Sequence, residues 1–351
     1  MIDLSVIVTF YNGSKYLKSC IQTLKHIQDE SIEILFIDDG SDKVEYEALQ
    51  KAVSFLKKQN VRVIRREFNE HIGAGVAKNE AIANAKGRYV IFLDCDDYVS
   101  ANYYHRILDI IKKTKADIVC TDIIVKFPDK EILETIFDFN LIQEIPLKTD
   151  QTYYTLDSRY VLGNKFSASA CNKAIKKELL QKFQFNHNTC DDLTAIIPTI
   201  CVSEKIVYVS GIYYYYCQTS SSLTRHNSLQ NYFDSLNSLF ATYDILKNNK
   251  VDDENILLFY ANNVVPFIFF NIISNSEKNR LKLCKYLHKR TTANNFSSHL
   301  VTANPFVQQL SYMNEYNTQL FCYMEKRQYY LLNFVVIFHK VWYKLFRWEK
   351  K

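Results

Sequence analysis

The amino-acid sequence predicts an α/β protein: a mostly parallel central sheet flanked by helices, followed by a helical C-terminal region. Three observations predict it. Continuous apolar runs rich in Val and Ile alternate with helical patterns through residues 1–125, the pattern of parallel strands buried on both faces. Three of these runs stop at polar clusters: Tyr11-Asn12, Asp38-Asp39 and Asp94-Cys95-Asp96-Asp97. From residue 227 onward the pattern is helical, with long amphipathic segments at 232–246, 256–273 and 280–287.

Taken in order, Leu4 to Phe10 reads as a central strand, and the break at Tyr11-Asn12-Gly13-Ser14 leads into a helix through Leu17, Ile21 and Leu24. Ile32 to Ile37 is the next strand, ending at Asp38-Asp39-Gly40-Ser41. A helix carrying Tyr46, Leu49, Val53 and Leu56 follows. Val61 to Ile64 is a short strand, Gly73 to Ala85 an Ala-rich helix, and Tyr89 to Leu93 a strand that runs into the acidic cluster. Ile107 to Ile111 lies on a helix, and Asp117 to Val125 is a strand. The pattern weakens over 127–163. Ala170 to Phe183 and Leu193 to Val202 read as helices, and Ile206 to Cys217 as a β-rich stretch with four consecutive tyrosines. Ligands bind at the carboxyl ends of strands in open α/β sheets. The three polar clusters all sit there, which predicts a single site.

Composition narrows the class. At 351 residues and 48% hydrophobic, the chain can bury a large core. A charged fraction of 23% argues against wholesale disorder. Only 7 glycines are present, which argues against a Gly-rich loop as the main phosphate cradle. A net charge of +5 gives no reason to expect nucleic-acid binding. Nine cysteines form no C-x-x-C pair and no zinc-finger spacing, so they read as reduced thiols. The N-terminus has no basic n-region or signal-peptide core, so a cytoplasmic setting is expected.

The acidic run is the most informative feature. Three carboxylates within four residues at a strand end repel one another unless they share a cation. Mg²⁺ and Mn²⁺ prefer carboxylate oxygens and need only one or two from the protein, with phosphate and water supplying the rest. A nucleotide-sugar donor has that requirement, because charge develops on its diphosphate leaving group. In isolation the run would read as a solvated turn or a helix N-terminus; its place directly after a buried strand favours the metal reading.

Four motifs in order carry a resemblance: Ser5 to Asn12; Glu33 to Ser41; Gly73-x-x-x-Ala77-Lys78-Asn79; and Gly87 to Asp97. With them, residues 1–220 resemble the family 2 glycosyltransferases, inverting enzymes of GT-A fold. The resemblance implies that Thr9 and Tyr11 line a uracil pocket and that Asp39, with Asp38 as the alternative, accepts the base N–H. It maps the family's D-x-D onto Asp94 and Asp96. Asp94 would contact the ribose or the metal shell, Asp96 would bind Mn²⁺ or Mg²⁺, and Asp97 is a further metal or sugar contact. His71-Ile72-Gly73 stands where the family has Asn-x-Gly, and Lys78 where it has Arg. Lys78 keeps a cation able to reach a phosphate or Asp94 without the planar fork of Arg. His71 reads as a loop residue near the sugar.

An inverting transfer needs a base for the acceptor hydroxyl. The resemblance places it in Cys190-Asp191-Asp192-Leu193, with Asp192 as base and Asp191 in the place of the usual Glu. Plain helix capping by the Asp pair is the competing reading. Asn172 and Lys173 border the acceptor site or serve the fold. The stretch Tyr213 to Arg225 resembles the family's segment that closes over the diphosphate, which makes Ser221, Ser222 and Arg225 its candidates, with Gln218 in a place often held by Arg.

The expected organisation is a catalytic domain over 1–225, with a nucleotide-binding half (1–125) and an acceptor and base half (126–225). A helical domain over 226–328 and a basic-aromatic tail over 329–351 follow. In the tail Trp342, Tyr343, Phe346 and Trp348 interleave with Lys340, Lys344, Arg347, Lys350 and Lys351. Its clean apolar run is shorter than the roughly 20 residues a span needs. The mixture suits a helix lying on an anionic membrane at the inner face of the plasma membrane, with packing on the domain as the alternative. The expected activity is transfer of a hexosyl or N-acetylhexosaminyl group from a UDP-sugar to a glycan or lipid-linked acceptor in surface polysaccharide synthesis. A non-catalytic nucleotide-sugar-binding scaffold and a sugar nucleotidyltransferase are the alternatives.

Overall fold

The computed structural model describes residues 1–56, 60–66, 71–127, 130–134, 153–162, 167–187, 190–218 and 228–252, with positions 255, 256, 259, 279, 282 and 283. The chain divides into two compact units, Met1–His226 and Asn227–Lys351. In the second, the described part is mainly one helix, Leu229–Asn248, whose first turn is capped by Ser228 Oγ accepting from the Asn231 N–H at 3.0 Å.

The first unit runs β1 (Leu4–Phe10), α1 (Leu17–Leu24), β2 (Ile32–Asp38), α2 (Lys43–Val53), β3 (Asn60–Arg65), α3 (Ala74–Asn84), β4 (Tyr89–Asp94), β5 (Tyr98–Val99), α4 (Tyr103–Thr114) and β6 (Ile118–Lys126). It continues with β7 (Glu131–Glu134), β8 (Tyr153–Leu156), α5 (Ser158–Leu162), β9 (Lys173–Lys176), α6 (Lys177–Leu180), α7 (Leu193–Val202) and β10 (Ile206–Cys217). One sheet holds them in the order β3-β2-β1-β4-β9-β6-β10-β5, with β7 also on β6 and β8 on β10.

The nucleotide half is parallel, as the apolar runs predict: β1 pairs with β2 and β4, and β2 with β3. Val6, Ile7, Val8, Ile34, Leu35, Phe36, Ile91 and Phe92 are all buried, each stabilising the fold by about 1.5–3 kcal/mol. The second half is mixed. β10 runs parallel to β6, but β9 is antiparallel to both β4 and β6.

β9 corrects one expectation. Residues 170–183 do not form a helix; they form a four-residue strand and the single turn α6. The physical reason is tertiary. Asn172 and the Thr121 backbone exchange two hydrogen bonds: Asn172 Nδ2 donates to the Thr121 carbonyl at 2.7 Å, and the Thr121 N–H to the Asn172 carbonyl at 3.0 Å. The backbone is thereby committed to β6, and so short a strand leaves no periodic signal. Lys173 is fully buried beneath it. Its Nζ donates to the Ser169 carbonyl and Asn172 Oδ1, and burial pushes its pKa down to about 8. Both residues hold β9 in the sheet.

Candidate active site

The carboxyl ends of β1, β2 and β4 bring the three polar clusters together. Thr9 lies opposite Asp94 in the β1–β4 register, and its Oγ1 donates to Asp94 Oδ1 at 2.9 Å. Asp94 Oδ2 accepts from Cys171 Sγ at 3.4 Å, so the loop before β9 also reaches this carboxylate. At the end of β2 the two aspartates divide their work. Asp38 Oδ1 accepts the Ser41 N–H at 3.2 Å and closes the turn. Asp39 accepts from the N–H groups of Ile72 and Gly73 at 3.4 and 3.1 Å, and its Oδ2 lies 2.8 Å from His71 Nδ1. Tyr11 stands beside it, 44% exposed.

Asp96 is partly exposed. Burial, then the Asp94 charge beside it, push its pKa up to about 6. Two neighbouring carboxylates at a strand end, one of them raised by burial and by the charge of the other, are a donor set that suits a hard dication. Asp94 and Asp96 therefore fit Mg²⁺ or Mn²⁺ held jointly with a diphosphate. Among the described residues no group of three or more His, Cys, Asp or Glu side chains is arranged to hold a metal by itself. Asp97 differs from expectation. It is buried, with Oδ2 accepting from Tyr214 Oη at 2.5 Å and Oδ1 from the Cys217 N–H at 2.7 Å. It ties β10 to the acidic turn.

Helix α3 joins Asp191 and Asp192 to this end of the sheet through Lys78. Gly73 (φ +106°) opens the helix in a conformation that L side chains rarely adopt. One helical face then presents Gly75, Lys78 and Asn79, at i, i+3 and i+4. A Cβ on Gly75 would stand 1.8 Å from the Asn186 carbonyl oxygen and 2.9 Å from Asp191 Cβ, so only glycine lets Asn186 and Asp191 approach so closely. Asn79 clasps Phe185 twice, donating to its carbonyl at 2.8 Å and accepting its N–H at 3.0 Å. Lys78 is directed elsewhere than the expected phosphate or Asp94. Its Nζ donates to Asp191 Oδ2 at 3.0 Å and Asp192 Oδ1 at 2.5 Å. Burial opposes the ammonium, but Asp191, Asp192 and Asp94 outweigh it and hold Lys78 charged. Asp192 occupies the N-cap of α7 yet makes no capping hydrogen bond. Its Oδ2 accepts the Ala170 N–H at 3.0 Å. The carboxylate is thus held by a cation and an amide beside the acidic turn.

Ser221, Ser222, Arg225 and the tail lie outside the described residues. Gln218 lies within them, its N–H donating to the Lys126 carbonyl. Two residues near the site were not anticipated. Cys171 touches Asp94, and Arg66 places Nε 4.0 Å from Asp39 Oδ1 and Nη1 3.3 Å from Glu80 Oε2. Arg66 had a legible signal. It follows a parallel strand whose register sets Arg65 against Asp38, at the end of the sheet where ligands bind.

Comparison with known proteins accords with this geometry. Residues 5–183, half the chain, match the family described as Glycosyl transferase family 2. The glycosyltransferase GlyG of Streptococcus pneumoniae serotype 4 is 29% identical over 228 residues, covering 63% of this chain and 73% of GlyG. A second pneumococcal glycosyltransferase, GlyA, is 24% identical over 234 residues, which is 63% of this chain but 31% of GlyA. Among solved structures, S. aureus TarS 1–349 in complex with UDP-GlcNAc superposes with a TM-score of 0.72 at 17% identity, covering 97% of this chain and 92% of TarS 1–349. That likeness is one of fold. Motif content, sheet order and family match agree: the chain belongs to the family 2 glycosyltransferases and has their GT-A fold.

Proposed function

We propose that this glycosyltransferase moves a sugar, with inversion, from a UDP-sugar to a hydroxyl of a glycan or lipid-linked acceptor in surface polysaccharide synthesis. The observation that carries this reading is the convergence of Asp39, Asp94, Asp96 and Asp192 at one end of the sheet. The TarS complex with UDP-GlcNAc supports a UDP-sugar donor. Two relatives named for teichoic acid synthesis support a cell-surface glycan acceptor.

In the proposed mechanism Tyr11 and Asp39 hold the nucleobase, and Thr9 orients Asp94. Asp94 and Asp96 would hold Mg²⁺ or Mn²⁺, which offsets the charge of the departing diphosphate. Asp192 takes the proton of the acceptor hydroxyl. The acceptor oxygen forms its bond to the anomeric carbon on the face opposite the diphosphate. The bond from that carbon to the phosphate oxygen breaks, and UDP leaves with the electron pair. Residues 1–125 would form the nucleotide half, and 126–225 the acceptor and base half. Among the described residues no helix is long and apolar enough to cross a membrane. The basic and aromatic sequence of 329–351 supports peripheral contact with an anionic membrane at the cytoplasmic face.

UDP release measured over a panel of UDP-sugars with Mn²⁺ tests this reading. One donor should stand out, and Asp192→Asn should lower its turnover by about 10²–10⁴-fold. Equal turnover by the Asn variant would remove Asp192 as base.

A further inference from the structure

A single side chain bridges Tyr11 and Asp39. The His71 ring lies on the Tyr11 ring, with centroids 3.8 Å apart and planes 11° from parallel. The same ring sets Nδ1 2.8 Å from Asp39 Oδ2. A flat heterocycle that stacks on an aromatic face and turns an in-ring N–H to a carboxylate is also what a uracil base presents. The imidazole therefore makes both contacts that the proposed function gives to the nucleobase. Burial does not lock it there, since the His71 side chain is 43% exposed. Asp39 has an independent hold, because the Ile72 and Gly73 N–H groups also donate to it. The acceptor carboxylate stays in place whether or not the ring does.

We propose that His71 stands in for the nucleobase in the free protein, and that it sets donor affinity by having to leave the Tyr11–Asp39 slot. This rests on the assignment of Tyr11 and Asp39 to the donor base. A ligand that must displace an internal competitor binds more weakly, in proportion to the fraction of molecules with the slot open.

Calorimetric titration of the full chain with UDP and Mn²⁺ tests it. Removing the competitor in His71→Ala should tighten UDP by about three- to tenfold. His71→Phe keeps the stack and loses the N–H, and should fall between wild type and His71→Ala. Pyrophosphate with Mn²⁺ has no base and should bind wild type and His71→Ala alike. Equal or weaker UDP binding by His71→Ala, with Tyr11→Ala and Asp39→Ala both strongly impaired, overturns the competition and makes His71 a wall of the pocket. If Tyr11→Ala and Asp39→Ala bind UDP like wild type, the donor-site assignment itself falls. Thermal unfolding of each variant separates these outcomes from misfolding.

Discussion

The two ends of β2 carry carboxylates with opposite fates. Glu33, near the amino end, is buried and fully answered: Ser5 Oγ, the Lys86 N–H and the Arg62 guanidinium all donate to it. Burial pushes its pKa up, but those partners outweigh burial and hold it below the usual glutamate range. Asp38, at the carboxyl end, is as buried, yet its Oδ2 has no hydrogen-bond partner among the described residues and Arg65 Nε lies 3.8 Å away. Burial lifts its pKa. Burial likewise lifts Asp96, just past the carboxyl end of β4, with the Asp94 charge adding to the effect. One end of the sheet neutralises its own charge and serves the fold. At the other, burial of Asp38 and Asp96 outweighs the partners they have, a state that disfavours folding and favours a cation or ligand.

Three measurements would break or sharpen this contrast. Asp96→Asn has the largest expected effect. Under the proposed mechanism turnover should fall at least about 100-fold, because the leaving diphosphate would lose a metal-holding carboxylate. The metal-free variant should nevertheless melt higher than wild type at pH 7. A lower melting temperature would place Asp96 with Glu33, among the carboxylates that the fold needs.

Glu33→Ala is the mirror experiment. It leaves Arg62, Ser5 and the Lys86 amide without their partner, and should cost about 3 kcal/mol in urea unfolding. Turnover per folded molecule should not change. A loss of turnover with full stability would contradict the division between the two ends.

The smallest effect is on pH dependence. Asp96 rises from 3.8 to about 6 in the folded chain. Its contribution to stability is therefore full below pH 3.8 and lost as pH rises through about 6. Metal-free protein should gain on the order of 1 kcal/mol on acidification from pH 7 to 5. Glu33 and Asp117 are shifted down, so their stabilisation fails only at lower pH, as pH falls through their folded values. Saturating Mn²⁺ should abolish the gain. A flat melting temperature between pH 7 and 5 in chelator would count against an undercompensated site.

Much of this could be read from the sequence where the signal is local. Strands β1, β2 and β4 are long enough to show as apolar runs, and the acidic run ends one of them. Gly73, Lys78 and Asn79 were legible as a motif, but their purpose was not. From sequence Lys78 reads as a cation for a phosphate or Asp94; in the fold its ammonium meets Asp191 and Asp192. The distance from Lys78 to Asp192 spans 114 positions along the chain, and no periodicity encodes such a pairing. Asp97 misled for the converse reason. A third carboxylate in an acidic run resembles its neighbours until Tyr214, 117 positions away, takes one of its oxygens.

Local patterning alone specifies the α/β class, the parallel nucleotide half and the carboxyl-end location of the acidic groups. Those follow from short-range patterning, in which apolar period and strand-end chemistry are properties of neighbouring residues. Only the tertiary structure decided which acids are satisfied and which are left wanting. It turned residues 173–176 into a strand, gave Lys78 to Asp191 and Asp192 and laid His71 on Tyr11. Each of these depends on close approach between distant segments, and a single missing Cβ, as at Gly75, is enough to permit it.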